Sequence, residues 1–295
     1  MSANFGIHSA PMRGAALMIA TGALFAVANT VVQFGTMRAG LSPSLVAFWQ
    51  YAIVLLLALP WLVATGFSAA FTQRRPLHFV QVVLAAAGIQ FWVLGLAYVP
   101  IWQAAALGML STFFVTIGAR LFLGEVIGPA RSAAVLLGFL GGMIILAPWS
   151  DAFSFYATLP VIAAIFWSGS SLMIKHLTIT DRPETITFYM VLFLTPINGV
   201  ILLGNQDVEY SSIFWIVVLI AGVVTAVAQY TLAAAYSLAD ASFLQPFDHL
   251  KLPVNVALGV LVFGFWPPGS MLVGSLLIVG ASAYLLNSER TRVTA

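Results

Sequence analysis

The chain is a succession of apolar runs of about 20 residues, separated by short connections that carry its prolines and most of its charges. A run of that length spans a hydrocarbon core about 30 Å thick when it is helical. Only 7% of the 295 residues are charged, against about 25% in soluble domains, so a soluble globular fold is excluded. The runs lack the alternating, roughly ten-residue pattern of outer-membrane barrel strands. A helix bonds its own backbone groups, which a bilayer core cannot do for it. The fold class is therefore an all-α integral membrane protein.

Ten segments meet the length rule: 13–36, 43–66, 77–98, 101–123, 130–148, 155–177, 184–204, 211–236, 241–266 and 269–287. With the N-terminus cytoplasmic, the inner side collects Arg13, Arg74, Arg75, Arg120, Arg131, Lys175, Arg182, Arg290 and Arg292. The outer side then has only Arg38, together with the acidic Asp151, Asp207 and Glu209. This positive-inside bias predicts a multi-pass protein of the cell (inner) membrane with both termini cytoplasmic. Ala26-Val27-Ala28 follows Arg13 and an apolar run, as in a cleavable signal peptide, but the run continues to Phe34 and reads better as a retained helix.

The net charge of +2 comes from dispersed residues with no basic patch, so the expected partners are the lipid bilayer and a small-molecule substrate, not nucleic acid. The chain has no cysteine, which removes disulfides, thiolate metal sites and cysteine catalysis. No cofactor or metal is expected. Glycine- and alanine-rich stretches such as Gly138 to Gly142 read as helix-packing or dimer contacts, and a monomer and a homodimer both remain open.

The midpoint falls at the connection 149–151, leaving residues 1–148 and 152–295 as two units of five segments. Segments four and nine begin alike, Leu96-Ala97-Tyr98 against Ala234-Ala235-Tyr236, and Ser111 aligns with Lys251. An odd number of spans per unit makes the second enter the membrane opposite to the first. Inverted repeats of this kind enclose a substrate cavity at their interface near the midplane.

The stretch Phe243 to Asn255 is the chemical anomaly. It places Asp248, His249 and Lys251 between Pro246 and Pro253, inside a segment of membrane length. Ionisable groups at that depth cost several kcal/mol and by default mark a partner or a functional cavity. Asp248 and Lys251 share a helical face and can pair, while the prolines predict a kink whose loosened carbonyls can bind ligand. Two readings follow: a structural ion pair, or a pair that meets a zwitterionic substrate. His249 points elsewhere on the helix, and it is either a satisfied structural group or a proton carrier that couples transport to a proton gradient. Gln245 lies one turn earlier. Further mid-span polar and aromatic candidates for substrate binding are Asn29, Gln33, Gln90, Tyr98, Trp102, Trp167, Ser170, Gln229 and Tyr230. Rings with a few amide groups suit flat apolar solutes with polar ends.

The run from Ala97 to Glu125, AYVPIWQAAALGMLSTFFVTIGARLFLGE, together with Phe166-Trp167, resembles the drug/metabolite transporter superfamily, in particular its EamA-type carriers. The resemblance covers nearly the whole chain and implies two inverted five-helix repeats around a central cavity. Within the superfamily the chain looks most like the YddG-type amino-acid exporters, which implies export of aromatic or other apolar amino acids and related metabolites. The second repeat departs from the signature, with Phe265-Trp266-Pro267-Pro268 where a glutamate would follow. Glu125, beside Arg120 and Arg131, reads as an interfacial structural ion pair.

The expected function is thus secondary transport by alternating access. A carrier of nucleotide sugars or phosphorylated metabolites is the alternative, weakened because anions want several buried cations and Lys251 stands alone. An intramembrane enzyme would need convergent catalytic groups, whereas Asp248 and His249 diverge around a helix. A channel is the remaining alternative. No nucleotide-binding motif supports coupling to ATP.

Overall fold

A computed structural model describes residues 10–65, 71–96, 98–99, 101–146, 154–203, 210–248, 250–264, 266 and 269–294. The described residues form α-helices and helical turns: α1 (Ala10–Gln33), α2 (Pro43–Thr65), α3 (Arg75–Leu96), α4 (Ile101–Gly108), α5 (Ser111–Phe122), α6 (Pro129–Leu146), α7 (Thr158–Leu177), α8 (Pro183–Leu202), α9 (Ser212–Leu238), α10 (Ala241–Asp248), α11 (Lys251–Leu258) and α12 (Gly269–Thr294). Wider π-helical turns extend α1 through Phe34–Arg38 and α11 through Gly259–Phe263. Among the described residues, six stretches are long and apolar enough to cross a membrane: Ala10–Arg38, Ser44–Ala64, Gln103–Phe122, Phe155–Leu177, Pro183–Leu202 and Ser212–Leu238. Pro129–Ile144, Lys251–Phe263 and Gly269–Ala281 are shorter apolar helices, and α3 carries Arg75, His78 and Gln81 in its first two turns.

Two segments expected as single helices, 101–123 and 241–266, are each built in two pieces. α4 and α10 are both eight residues long, ending at Gly108 and Asp248, and Ser111 and Lys251 each open the second piece. At the first break the chain tightens into three-residue turns, Met109 N–H bonding to the Ala106 carbonyl and Leu110 N–H to that of Leu107. The Thr112 hydroxyl donates to the Met109 carbonyl at 2.8 Å, a local bond that competes with the helical ladder. At the second break Leu250 N–H bonds to the Phe247 carbonyl, and Pro253 has no amide hydrogen to continue the ladder. The kink expected from the prolines is there; the break at 109–110 has no proline to announce it.

The helices interlock in matching pairs. α1 runs along α9 and α7 along α3, while α1 meets α10 and α11 as α7 meets α4 and α5. α6 packs on α12, where a Cβ added to Gly141 would lie 2.6 Å from the Gly274 carbonyl oxygen, so only glycine permits that approach. Polar side chains tie the same faces. Thr21 on α1 bonds to Thr231 on α9 at 2.8 Å, and Gln50 on α2 to Thr225 on α9 at 2.7 Å. Without a hydrophobic difference between lipid and helix, close packing and such bonds hold the bundle.

One end of the bundle is stitched by polar contacts between distant parts of the chain. Asp181, in the turn after α7, accepts from Thr72 at 2.7 Å and lies 2.7 Å from His78 Nε2 on α3. Arg74 reaches His176 at 3.0 Å. The Lys175 ammonium donates to the Ala239 and Tyr236 carbonyls at the carboxyl end of α9, where the helix dipole favours a cation. Glu125 Oε1 accepts the Ala241 amide at 3.0 Å, capping the start of α10, and Arg131 lies 3.9 Å from Asp240. The glutamate read from sequence as a structural ion-pair partner serves in the structure as a helix cap, joining residues 116 positions apart in the chain.

Candidate substrate site

The two broken helices carry contrasting chemistry. At the second break, Lys251 Nζ and Asp248 Oδ2 are 2.5 Å apart, and their side chains are 26% and 16% exposed, partly accessible in the middle of the bundle. They close across the break: Asp248 ends α10 and Lys251 begins α11. Those are the ends at which helix dipoles disfavour a carboxylate and an ammonium respectively, so each charge depends on the other for neutralisation. The Asn255 amide bonds to the Lys251 carbonyl at 2.9 Å and firms the start of α11. On the other side, α1 comes so close that a Cβ on Gly22 would lie 2.9 Å from Lys251 Cβ.

At the first break, Gly108 stands where Asp248 stands in the second, and aromatic rings cover it. A Cβ on Gly108 would meet Trp92 Cζ3 at 3.1 Å and a Trp167 ring carbon at 3.8 Å. The two indoles are 5.1 Å apart at 49°. Gly88 on α3 seats the Trp167 ring, leaving room that a Cβ would fill to within 2.5 Å of Cδ1. Trp92 also packs on the cluster containing Ala105, Met109 and Leu252. Leu252 follows Lys251 directly, so α11 links the indole pair to the ion pair. Aromatic surface thus lies at one break and a donor–acceptor pair at the other.

The other candidates are dispersed. Asn29 is half-buried on α1; Gln33, one turn on, is buried, as are Ser170 on α7 and Gln229 on α9. Gln90 is exposed on α3. Tyr98 lies in the turn after α3, 57% exposed, stacked on Tyr156 at 4.1 Å. Tyr230 is 43% exposed on the outside of α9 and donates to Glu184 at 3.3 Å. Neither tyrosine joins the two breaks. His249 and the side chains of Trp102 and Gln245 lie outside the described residues. Sequence reasoning singled out Trp167 but passed over Gly88, Gly108 and Gly22, whose role is the space they leave and whose only trace in the sequence is a glycine inside an apolar run.

The chain matches the model of the EamA-like transporter family twice, over residues 12–147 and 154–287. It is 48% identical to a riboflavin transporter of Rhizobium johnstonii, over 95% of this chain and 92% of that one. It is 45% identical to a riboflavin transporter of Vibrio cholerae, over 95% and 94% respectively. A crystal structure of another protein superposes with a TM-score of 0.73 at 18% identity, covering 94% of this chain and 97% of the other, a likeness of fold alone. These relatives are transporters, not enzymes. The chain is a multi-pass membrane protein and belongs to the EamA-like transporter family.

Proposed function

We propose that the protein carries riboflavin across the bacterial inner membrane by alternating access. The observation that carries this reading is the 48% and 45% identity, over nearly full length, to two proteins named riboflavin transporter. The site chemistry agrees with it. The isoalloxazine ring is flat and aromatic with one polar edge, and indole surface beside a donor–acceptor pair suits such a solute. The amino-acid export expected from sequence gives way because these relatives are named for riboflavin. A neutral flavin also needs no free counter-ion, and Asp248 and Lys251 already neutralise each other. The same pairing disfavours nucleotide sugars and phosphorylated substrates, which would need unpaired cations.

In this reading the chain crosses the membrane ten times as two inverted halves, 1–148 and 152–295, with both termini cytoplasmic. The matched breaks of α4–α5 and α10–α11, the pairing of α1 with α9 and α7 with α3, and the double family match support it. The purified protein in liposomes should exchange radiolabelled riboflavin in saturable counterflow, with phenylalanine failing to replace it as the exchanging substrate. Riboflavin flux no higher than in empty liposomes would overturn the assignment.

A further inference from the structure

We propose that Asp248 and Lys251 read the pyrimidinedione edge of the flavin ring, a refinement that rests on the riboflavin reading above. That edge presents an N3–H flanked by two carbonyl oxygens. The ion pair presents a donor beside an acceptor: the ammonium donates to a ring carbonyl and the carboxylate accepts from N3–H. Two points of contact of opposite sense fix the orientation of the ring, and the neutral edge leaves the net charge of the site at zero throughout transit.

Three observations favour reading over simple stapling. Both side chains keep partial exposure although the stretch lies within the bundle, so the pair is reachable. Each charge stands at the helix end whose dipole disfavours it, an arrangement that a staple of the reverse sequence would avoid. And the equivalent positions at the other break, Gly108 and Ser111, carry no charge, and Gly108 lies under indoles. One break thus offers an aromatic face for the ring and the other a polar pair for its edge, joined through Leu252 and Trp92. Lys251 has three N–H donors, of which the carboxylate takes one, and the close approach of Gly22 holds its stem in place.

The test is competition against labelled riboflavin uptake in proteoliposomes of the full chain. In the wild type, 3-methylriboflavin, which lacks the N3–H, should compete about 10–100-fold more weakly than riboflavin. An analogue altered only on the benzenoid ring, 8-demethylriboflavin, should compete normally. In the double variant D248L/K251M, which removes both charges without leaving one unpaired, the ratio between riboflavin and its 3-methyl analogue should fall to about one. A staple would change thermal stability and leave that ratio alone. Riboflavin transport with equal competition by the 3-methyl analogue in the wild type overturns the edge-reading role and leaves the riboflavin assignment standing. Absence of riboflavin transport overturns both.

Discussion

Gly88 on α3 lies beneath the indole of Trp167 on α7, so closely that a Cβ there would come within 2.5 Å of the ring. The Trp92–Trp167 arrangement therefore depends on a hydrogen atom at position 88. Gly88→Ala should displace the ring and lower riboflavin flux at least about tenfold, at a stability cost of about 1–3 kcal/mol. Proteoliposome flux and tryptophan emission check it; unchanged flux with an unshifted spectrum would refute the dependence.

Asp248 and Lys251 neutralise each other across a helix break, so removing one partner should harm the fold more than removing both. Lys251→Met alone leaves a carboxylate unpaired and should cost on the order of 2–4 kcal/mol, reduced by the partial exposure. D248L/K251M should recover most of that loss. Thermal unfolding in detergent would show whether the double variant melts above both single ones.

Asp181 accepts from Thr72 and stands 2.7 Å from the ring of His78, whose side chain is fully buried. Asp181→Ala leaves those buried groups short of a partner and should cost about 1–3 kcal/mol. Asp181→Asn retains an acceptor and should recover part of it. The expected fall in melting temperature is roughly 2–4 °C per kcal/mol, read by the same assay.

Glu125 caps α10 from 116 positions earlier in the chain. Glu125→Ala should cost about 0.5–2 kcal/mol, with Glu125→Gln nearer wild type because its carbonyl still accepts the Ala241 amide. Equal loss in both variants would show that charge, not the cap bond, is what matters there.

The absence of cysteine makes orientation directly measurable. A membrane-impermeant maleimide should label Arg38→Cys in intact cells and Gln73→Cys only after permeabilisation; the reverse would invert the proposed topology.

Much of the architecture was legible in the chain because the bilayer imposes so simple a rule. The expected ends of the helices at 43–66, 77–98 and 184–204 lie within two residues of those of α2, α3 and α8. What the hydropathy pattern does not carry is the break at 109–110, since Met109 and Leu110 are as apolar as their neighbours and the interruption comes from turn hydrogen bonding and the Thr112 hydroxyl. Asp248 and Lys251 announced themselves through the cost of charge at depth, and their spacing predicted the pair. Tyr98 and Tyr230 carried the same kind of signal as Trp167, but an aromatic residue within an apolar run does not say whether it faces a neighbour or the periphery.

The sequence by itself determined a helical membrane protein, the approximate limits of its helices and the residues whose charge must be neutralised, because length, apolarity and charge burial are local costs each segment meets alone. The tertiary structure decided which glycine seats which indole, that Glu125 caps α10, that His78 meets Asp181, and that an aromatic pair and an ion pair occupy matching breaks. Those are relations between surfaces far apart in the chain, set by how closely particular helices approach, and no single segment contains them.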